Sequence, residues 1–519
     1  MSIASQVYAS DVVVVGGGGA GLAAAVSAAT RGASVILIEK CEKLGGTTGI
    51  AIGSFTASGT LLQKAKGIVD TPEWHDEDMS VFAGRRNNLN NTPLRRLFAR
   101  NANTTLEWLH SLGLQFYGPS PEPPNRVPRM HNVVPSAKTY IAMFQAKALS
   151  LGVRILTGHK AKRLIQAPDS TVVGVEAEGP EGTAVRLEAK RAVILAAGDY
   201  SNGTAVKNEF LPNDIAAIDG INPNSTGDGH MLAREVGAAL VNMELVYGPE
   251  LRFVSSPKPP FAQLLPANPQ LARIMGPLIR FVPRPILHRM LKRLLVTWQH
   301  PETSLLKDGA VLINRDGQRF CDETATPELA VARQPDKSAW ILLDATLAQR
   351  YSAWPHFIST APDIAYAYVA DYRRLRPDIY FEAPSLVDLA GKMGWNAACL
   401  GDSVAAYNRA ADGGPQDAFG REHFGSPLAE PPFIVLGPLK SWIVTTEGGV
   451  RINEAMEALD SFGAPVPGLY AAGSNGMGGI VIWGHGLHIA WALTSGRIAG
   501  LNAALSPVRG PGLVQETRS

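Results

Sequence analysis

Residues 11–40 leave this chain the least freedom in how it can fold. Asp11-Val12-Val13-Val14-Val15 is a short β-branched, apolar run, the composition of a strand buried on both faces. The turn Gly16-Gly17-Gly18-Gly19-Ala20-Gly21 follows. A small-residue helix over Ala20–Arg31 comes next, then a second apolar strand, Ser34-Val35-Ile36-Leu37-Ile38, with Glu39 at its end. A strand, a helix and a second strand packed this closely form a right-handed crossover between parallel strands, so helices must cover the sheet on both faces. The turn fits Gly-x-Gly-x-x-Gly. Gly16 makes the bend, Gly18 lets a pyrophosphate approach the backbone, and Gly21 lets helix and strand pack closely while the helix N-terminus faces the phosphates. A carboxylate at the place of Glu39 accepts hydrogen bonds from ribose hydroxyls. The expectation is an α/β, Rossmann-like domain binding a dinucleotide through Gly16, Gly18, Gly19, Ala20, Gly21 and Glu39.

The sequence just beyond selects between dinucleotides. Lys40-Cys41-Glu42-Lys43-Leu44-Gly45-Gly46-Thr47-Thr48 offers backbone N–H groups and hydroxyls as a second cradle, which a plain NAD domain does not need. A strand ends at Ala196-Ala197-Gly198. The turn Thr226-Gly227-Asp228-Gly229 leads into a helix expected over Thr226–Leu240, and Tyr470-Ala471-Ala472-Gly473 ends a further strand ahead of a helix over Leu487–Gly500. Helical patterns also fill 93–112 and Ser136–Leu151. Because nucleotide-fold patterns stand at both ends, the FAD-binding domain is expected to be discontinuous, 1–240 and 433–519. An inserted α+β substrate domain would span 241–432. No second Gly-x-Gly-x-x-Gly follows a strand, so a direct NAD(P)H site is not expected.

The bulk numbers exclude other classes. The chain has 519 residues and a net charge of +2, which does not suit a nucleic-acid binder. Three scattered cysteines make neither a disulfide framework nor a metal knot. The polar start resembles no signal peptide, and no apolar run reaches bilayer length, so a cytoplasmic location is expected. One segment qualifies this. Residues 251–301 carry eight cations and no acid from Leu251 on, interleaved with apolar residues and Trp298. Such a stretch suits either peripheral contact with the inner membrane face or a buried cap.

Taken together, the motifs resemble the succinate dehydrogenase/fumarate reductase flavoprotein superfamily, in the branch of the 3-ketosteroid and cyclohexanone dehydrogenases. The likeness rests on Val14–Leu22, Leu44–Thr48, Ala196–Gly198, Thr226–Gly229, Val311–Phe320, Thr445–Gly449 and Gly468–Gly473. It implies FAD held by Lys40, Gly45, Gly46, Thr47, Thr48, Ala197, Gly198, Asp228, Ala472, Gly473, Gly486 and Leu487 as well as the first cradle. It implies non-covalent binding, because residues 46–50 lack the histidine that respiratory members link to flavin. Dicarboxylate chemistry is disfavoured: Ile482 stands where fumarate reductases carry a substrate-binding arginine, and Thr445–Gly449 has no histidine. Gly484 and Gly486 match the ketosteroid pattern, which makes the Gly486 N–H a donor to a ketone oxygen, but Ile482 replaces its tyrosine.

The implied reaction places a C=C bond next to the carbonyl of a cyclic apolar ketone, with a base taking the α-proton and flavin the β-hydride. The alternatives are an ene-reductase acting on a non-dicarboxylate enone, or a membrane-surface flavin electron carrier. Electrons would leave to a quinone, oxygen or a carrier protein. Tyr200, after the Gly198 turn, is the first choice of base, against a ring merely packed at the flavin edge. His485 competes as donor or base, against a structural hydrogen bonder, and Tyr117 and His131 are further candidates. Ile52, Phe116, Ile482 and Trp483 are expected to wall the substrate pocket.

Overall fold

The computed structural model describes residues 6–256, 296, 300–361 and 365–508. Strand Gln6–Val15 lies in an eight-stranded sheet between Val35–Glu39 and Ala184–Leu195, parallel to both. Arg154–Thr157 extends the sheet on one side, and Pro465–Ala471 joins Ala184–Leu195 in parallel on the other. Val12, Val13 and Val14 have no exposed surface, as expected of a strand covered on both faces.

Small residues bring the two longest-range helical partners together. Helix Gly19–Thr30 packs on the C-terminal helix Leu487–Leu505. A Cβ added at Gly496 would lie 2.2 Å from the Ala20 carbonyl oxygen, and one at Gly500 would lie 2.2 Å from that of Ala24. The alanine-rich composition of the first helix is therefore a packing requirement. It lets the last of the described helices lie backbone-to-backbone against the helix that opens at Gly19.

The chain leaves this region and returns to it along itself. Leu240–Val241 pairs with Gly449–Val450, Val246–Tyr247 with Thr445–Thr446, and Glu250–Phe253 with Phe433–Trp442, all antiparallel. The last of these ladders belongs to an antiparallel five-stranded sheet with its own apolar cluster, drawn from residues 251–439. The larger cluster draws on 12–238 and 450–504. Buried arginines lock the distal part: Arg319 pairs with Glu323 and Asp417, and Arg421 reaches Glu323 at 2.8 Å. Such networks leave no buried charge unpaired.

Two sequence expectations need adjustment here. The helix expected over Thr226–Leu240 spans only Asp228–Glu235. Gly237, at φ +89°, turns the chain, and Leu240–Val241 is drawn into the ladder with Gly449–Val450. Of the basic stretch 251–301, the structure describes 251–256, 296, 300 and 301. The amphipathic expectation for the rest lies outside the described residues. Among the described residues no helix is long and apolar enough to cross a membrane.

Candidate active site

A cavity of about 560 Å³ opens at the C-terminal ends of the central strands, where parallel α/β sheets bind ligands. Gly16, Gly18, Gly19, Ala20, Glu39, Lys40, Gly45, Gly46, Thr47, Thr48, Ala197, Gly198, Asp228, Ala472 and Gly473 line it; Gly21, Gly486 and Leu487 do not. Two loops form the cradle, and the Gly45 N–H donates to the Gly17 carbonyl at 3.0 Å to hold them together. Glu39 is fixed by two backbone donors, Gly17 N–H at 2.7 Å and Cys41 N–H at 2.9 Å.

This lining fits FAD. At Gly18 an added Cβ would meet no protein atom nearer than 3.8 Å. The missing side chain therefore leaves space for a ligand beside the start of helix Gly19–Thr30, where unpaired N–H groups favour phosphate. Lys43, Lys138, His159 and Lys160 bring further cationic or donor groups to the lining. Lys40 Nζ donates to Asp228 Oδ2 at 2.7 Å and to the Thr226 hydroxyl. Burial tends to raise the Asp228 pKa, but the hydrogen bond and charge of Lys40, helped by Thr226, hold it below the usual carboxylate range. Asn222 Nδ2 donates to Thr47 Oγ1 at 2.9 Å. Lys138, His159, Lys160 and Asn222 belong to no glycine motif. They converge only through the fold.

The residues expected to carry the chemistry divide into two groups. Tyr200 does not fit its expected role as base. It has no exposed surface and does not line the cavity. Its hydroxyl donates to the Met243 carbonyl at 2.6 Å, and burial, the largest influence, drives its pKa far above the ordinary phenol value. A phenol so held has neither access to a substrate nor a tendency to ionise. His131 is likewise enclosed, between the Thr60 hydroxyl at 2.9 Å and the Phe55 carbonyl at 3.3 Å, and burial pulls its pKa down to about 4. Phe116 is a core residue, packed on Phe55, His110 and Tyr140. Ile482 is fully buried. Ile52 and Tyr117 are exposed, with Tyr117 on strand Gln115–Ser120.

His485 stands apart from these. It immediately precedes Gly486, the N-cap of helix Leu487–Leu505, where φ is +79°. A Cβ at Gly486 would meet Thr56 Oγ1 at 2.8 Å, so only glycine lets the helix start this close to strand Ser54–Thr56. The Thr56 hydroxyl donates to the His485 carbonyl at 2.8 Å. Glu122, almost wholly buried, accepts from both the His485 N–H at 2.7 Å and the Nδ1 side of its ring at 2.6 Å. The imidazole itself remains 46% exposed. Burial pulls its pKa down, but the hydrogen bond and charge of Glu122 outweigh that, and the net shift is upward. One turn on, His488 Nε2 meets Glu447 at 2.7 Å.

Glu122, His488 and Tyr247 carried no signal in the sequence beyond their residue types, and Glu447 lay within the Thr445–Gly449 motif with no role assigned to it. Glu122 lies in the run Pro121-Glu122-Pro123-Pro124. The nearby Arg129, fully buried, anchors to Asp70 at 2.7 Å and to Asp78. Trp483, expected to wall the pocket, lies beside Tyr247, with centroids 5.8 Å apart, and under the Arg86 guanidinium at 4.1 Å.

Comparison with known proteins places this geometry in a family. The FAD-binding domain family (FAD_binding_2) matches residues 11–250 and 285–483. A probable fumarate reductase of Shewanella frigidimarina is 28% identical over 489 residues, covering 93% of this chain and 72% of the relative. A vinyl phenol reductase of Lactiplantibacillus plantarum is 26% identical, covering 95% of this chain and 96% of the relative. The 3-ketosteroid-Δ4-(5α)-dehydrogenase of Rhodococcus jostii, solved with 4-androstene-3,17-dione, shares the fold at a TM-score of 0.60 and 23% identity, covering 97% of this chain and 98% of that one. With the family matching most of its length and the cradle suited to FAD, the chain belongs to the FAD-binding domain family, within the succinate dehydrogenase/fumarate reductase flavoprotein superfamily, and is an FAD-dependent oxidoreductase.

Proposed function

We propose that this chain reduces a C=C bond conjugated to a carbonyl, in a substrate that is not a dicarboxylate, and that His485 supplies the proton. FAD, when bound, supplies hydride transfer at its N5. The observation that carries the reading is the Glu122–His485 pair at the start of helix Leu487–Leu505. A carboxylate that accepts from both the backbone and the ring of one histidine fixes its orientation, and the raised imidazole pKa favours the proton-bearing form. That is the state a proton donor needs near neutral pH.

The surroundings argue against a carboxylate substrate. Ile482 offers no charge, Arg252 is paired with Glu250 at 2.8 Å, and Arg86 lies over Trp483. The reductase names of the relatives agree with this direction. Desaturation of a cyclic ketone, the direction expected from the sequence, stands as the second reading. Its support is the Gly484-His485-Gly486 spacing shared with ketosteroid dehydrogenases. The electron partner stays in the expected classes: a quinone, oxygen or a carrier protein.

The test is anaerobic. Photoreduced protein is mixed in turn with 2-cyclohexenone, 4-androstene-3,17-dione and fumarate. Return of the oxidised-flavin absorption with an enone but not with fumarate is expected. Return with fumarate alone overturns the reading, and bleaching of the oxidised protein by saturated ketones alone would favour desaturation.

A further inference from the structure

Glu122 is carried by a loop that is anchored deep in the core. Residues 121–129 join strand Gln115–Ser120 to strand Met130–Val134, and Arg129, at the end of the loop, has no exposed surface. Its Nε and Nη2 donate to the two oxygens of Asp70 at 2.7 Å each. Its Nη1 donates to Asp78 and, at 2.9 Å, to Asn125 Oδ1. Asp78 belongs to helix Pro72–Ala83, whereas Asp70 precedes that helix. Gln63 Nε2 bridges Asp70 and the Pro128 carbonyl at 2.7 and 2.9 Å. A planar guanidinium gripped from two sides in this way has one orientation. Replacing a buried charge cluster by apolar residues is often neutral for stability, so the value of this one lies in the geometry it imposes.

Direct contacts lead from Arg129 to His485. Asn125, whose Oδ1 is held by Arg129, donates its N–H to the Glu122 carbonyl at 2.9 Å. Glu122 Oε1 then accepts from the N–H and the ring of His485. Its other oxygen, Oε2, is buried with no hydrogen-bond partner among the described residues. No other side chain therefore orients this carboxylate, and its aim depends on the loop backbone. The Arg126 N–H and Nε donate to Asp78 at 3.0 and 2.9 Å, which ties the loop down at a second point. A further tie runs through the main chain. The Arg129 carbonyl accepts from the Ala57 N–H at 3.3 Å, next to Thr56, whose hydroxyl holds the His485 carbonyl. The other charged or titratable groups acting on the imidazole are Glu250 and Arg252, paired with each other, and His300. None of these three belongs to the loop.

We propose that Arg129 is a positioning residue for His485: through Asn125 it sets the turn that presents Glu122 to both the backbone and the ring of the histidine. This deepens the reading of function above and rests on it. Arg129 is sealed from solvent and lies off the cavity, so it takes no part in proton transfer itself. It keeps the carboxylate where it can accept from the N–H and the imidazole at once. A loop released from Arg129 would let the ring exchange Glu122 for water, and His485 would lose both its orientation and the charge that favours its protonated form.

The test reads His485 directly in FAD-loaded protein. Ring Cε1 resonances of carbon-13-labelled histidines are followed against pH, and the His485 signal is assigned by its loss in His485→Gln. Wild type should titrate above the free imidazole value of about 6.5. Asn125→Ala keeps both Arg129 ion pairs and cuts only the link to the Glu122 turn. Its FAD content and thermal midpoint should match wild type, while the His485 titration moves down toward the free value. The alkaline limb of enone reduction should follow to lower pH, with turnover at pH 8 reduced about ten- to a hundredfold, the scale on which a misplaced reacting group slows an enzyme. Asn125→Asp, which restores an acceptor for Arg129, should bring both readouts back toward wild type. Arg129→Lys, unable to span all its partners, should displace them further; if it folds poorly, Asn125→Ala decides. An unchanged His485 titration in Asn125→Ala overturns the assignment, as does a fall in Asn125→Asp equal to that in Asn125→Ala. The two readings fail separately. Enone turnover with His485 unaltered in Asn125→Ala removes the role of Arg129 alone. A raised, Asn125-dependent His485 titration without enone turnover removes the proposed reaction and leaves the positioning role.

Discussion

Gly496→Ala should destabilise the protein and weaken FAD binding together, although in an ordinary helix the same change stabilises. Alanine is favoured over glycine in a helix interior by about 1 kcal/mol. At Gly496 the new methyl would lie 2.2 Å from the Ala20 carbonyl oxygen and 3.0 Å from its carbon. Relieving that overlap takes a separation of roughly 1 Å between two backbones, with no flexible side chain to give way. Overpacking of this kind costs about 1–3 kcal/mol. The loss must exceed the propensity gain for the protein to end up less stable, so a net loss of up to about 2 kcal/mol is expected. The helix forced away is the one that opens at Gly19, so its N-terminus shifts from the phosphate cradle and FAD affinity should drop in the same variant. Gly401 provides the control. It lies in helix Ala397–Ala411, and a Cβ there meets nothing within 4 Å, so Gly401→Ala should gain about 0.4–1 kcal/mol with FAD affinity unchanged. Urea unfolding of FAD-free protein, followed by separate FAD titration, measures both effects without the stabilisation that ligand itself adds. If Gly496→Ala proves as stabilising as Gly401→Ala, the close backbone contact is not what orders these two helices.

Acid precipitation should release all of the yellow colour as free FAD, because residues 46–50 read Gly-Thr-Thr-Gly-Ile; flavin left in the washed pellet would contradict this. Glu122→Gln should move the alkaline limb of the enone-reduction profile to lower pH, since Glu122 is what raises the His485 pKa. The matching stability term has a fixed sign. It is fully present below the unfolded imidazole pKa, about 6.5, and is lost as pH rises through the raised folded value. Wild type should therefore exceed Glu122→Gln in stability by more at pH 6 than at pH 9, and an unchanged gap would count against the pairing. Tyr200→Phe should leave the rate of flavin turnover near wild type and cost about 1–2 kcal/mol by stranding the Met243 carbonyl. A hundredfold slower reaction with full FAD content would restore Tyr200 as the base.

The parts legible in the sequence are those whose chemistry is local in the chain. The valine run, the glycine turn and Glu39 lie within one crossover unit, and backbone sterics with strand burial leave such a pattern a single arrangement. The Gly45–Thr48 loop and the Ala472-Gly473 strand end, which line the cavity, were legible for the same reason, each needing only its own backbone to present N–H groups, whereas Gly486 and Leu487, expected at the same cofactor, lie off it. Tyr200 shows where this stops. Its position after a cofactor strand suggested a base, but the distant Met243 carbonyl takes its hydroxyl and the surrounding core excludes solvent. The His485 partner lies 363 residues away at Glu122, and Tyr247 is held by His488, Trp483 and Arg86 from two other parts of the chain. Protonation and hydrogen-bond freedom depend on burial and on charges brought together across the fold, so the sequence determined the glycine turns and the carboxylate of the cofactor cradle, and only the tertiary structure decided which polar groups are sealed in the core and which stay exposed.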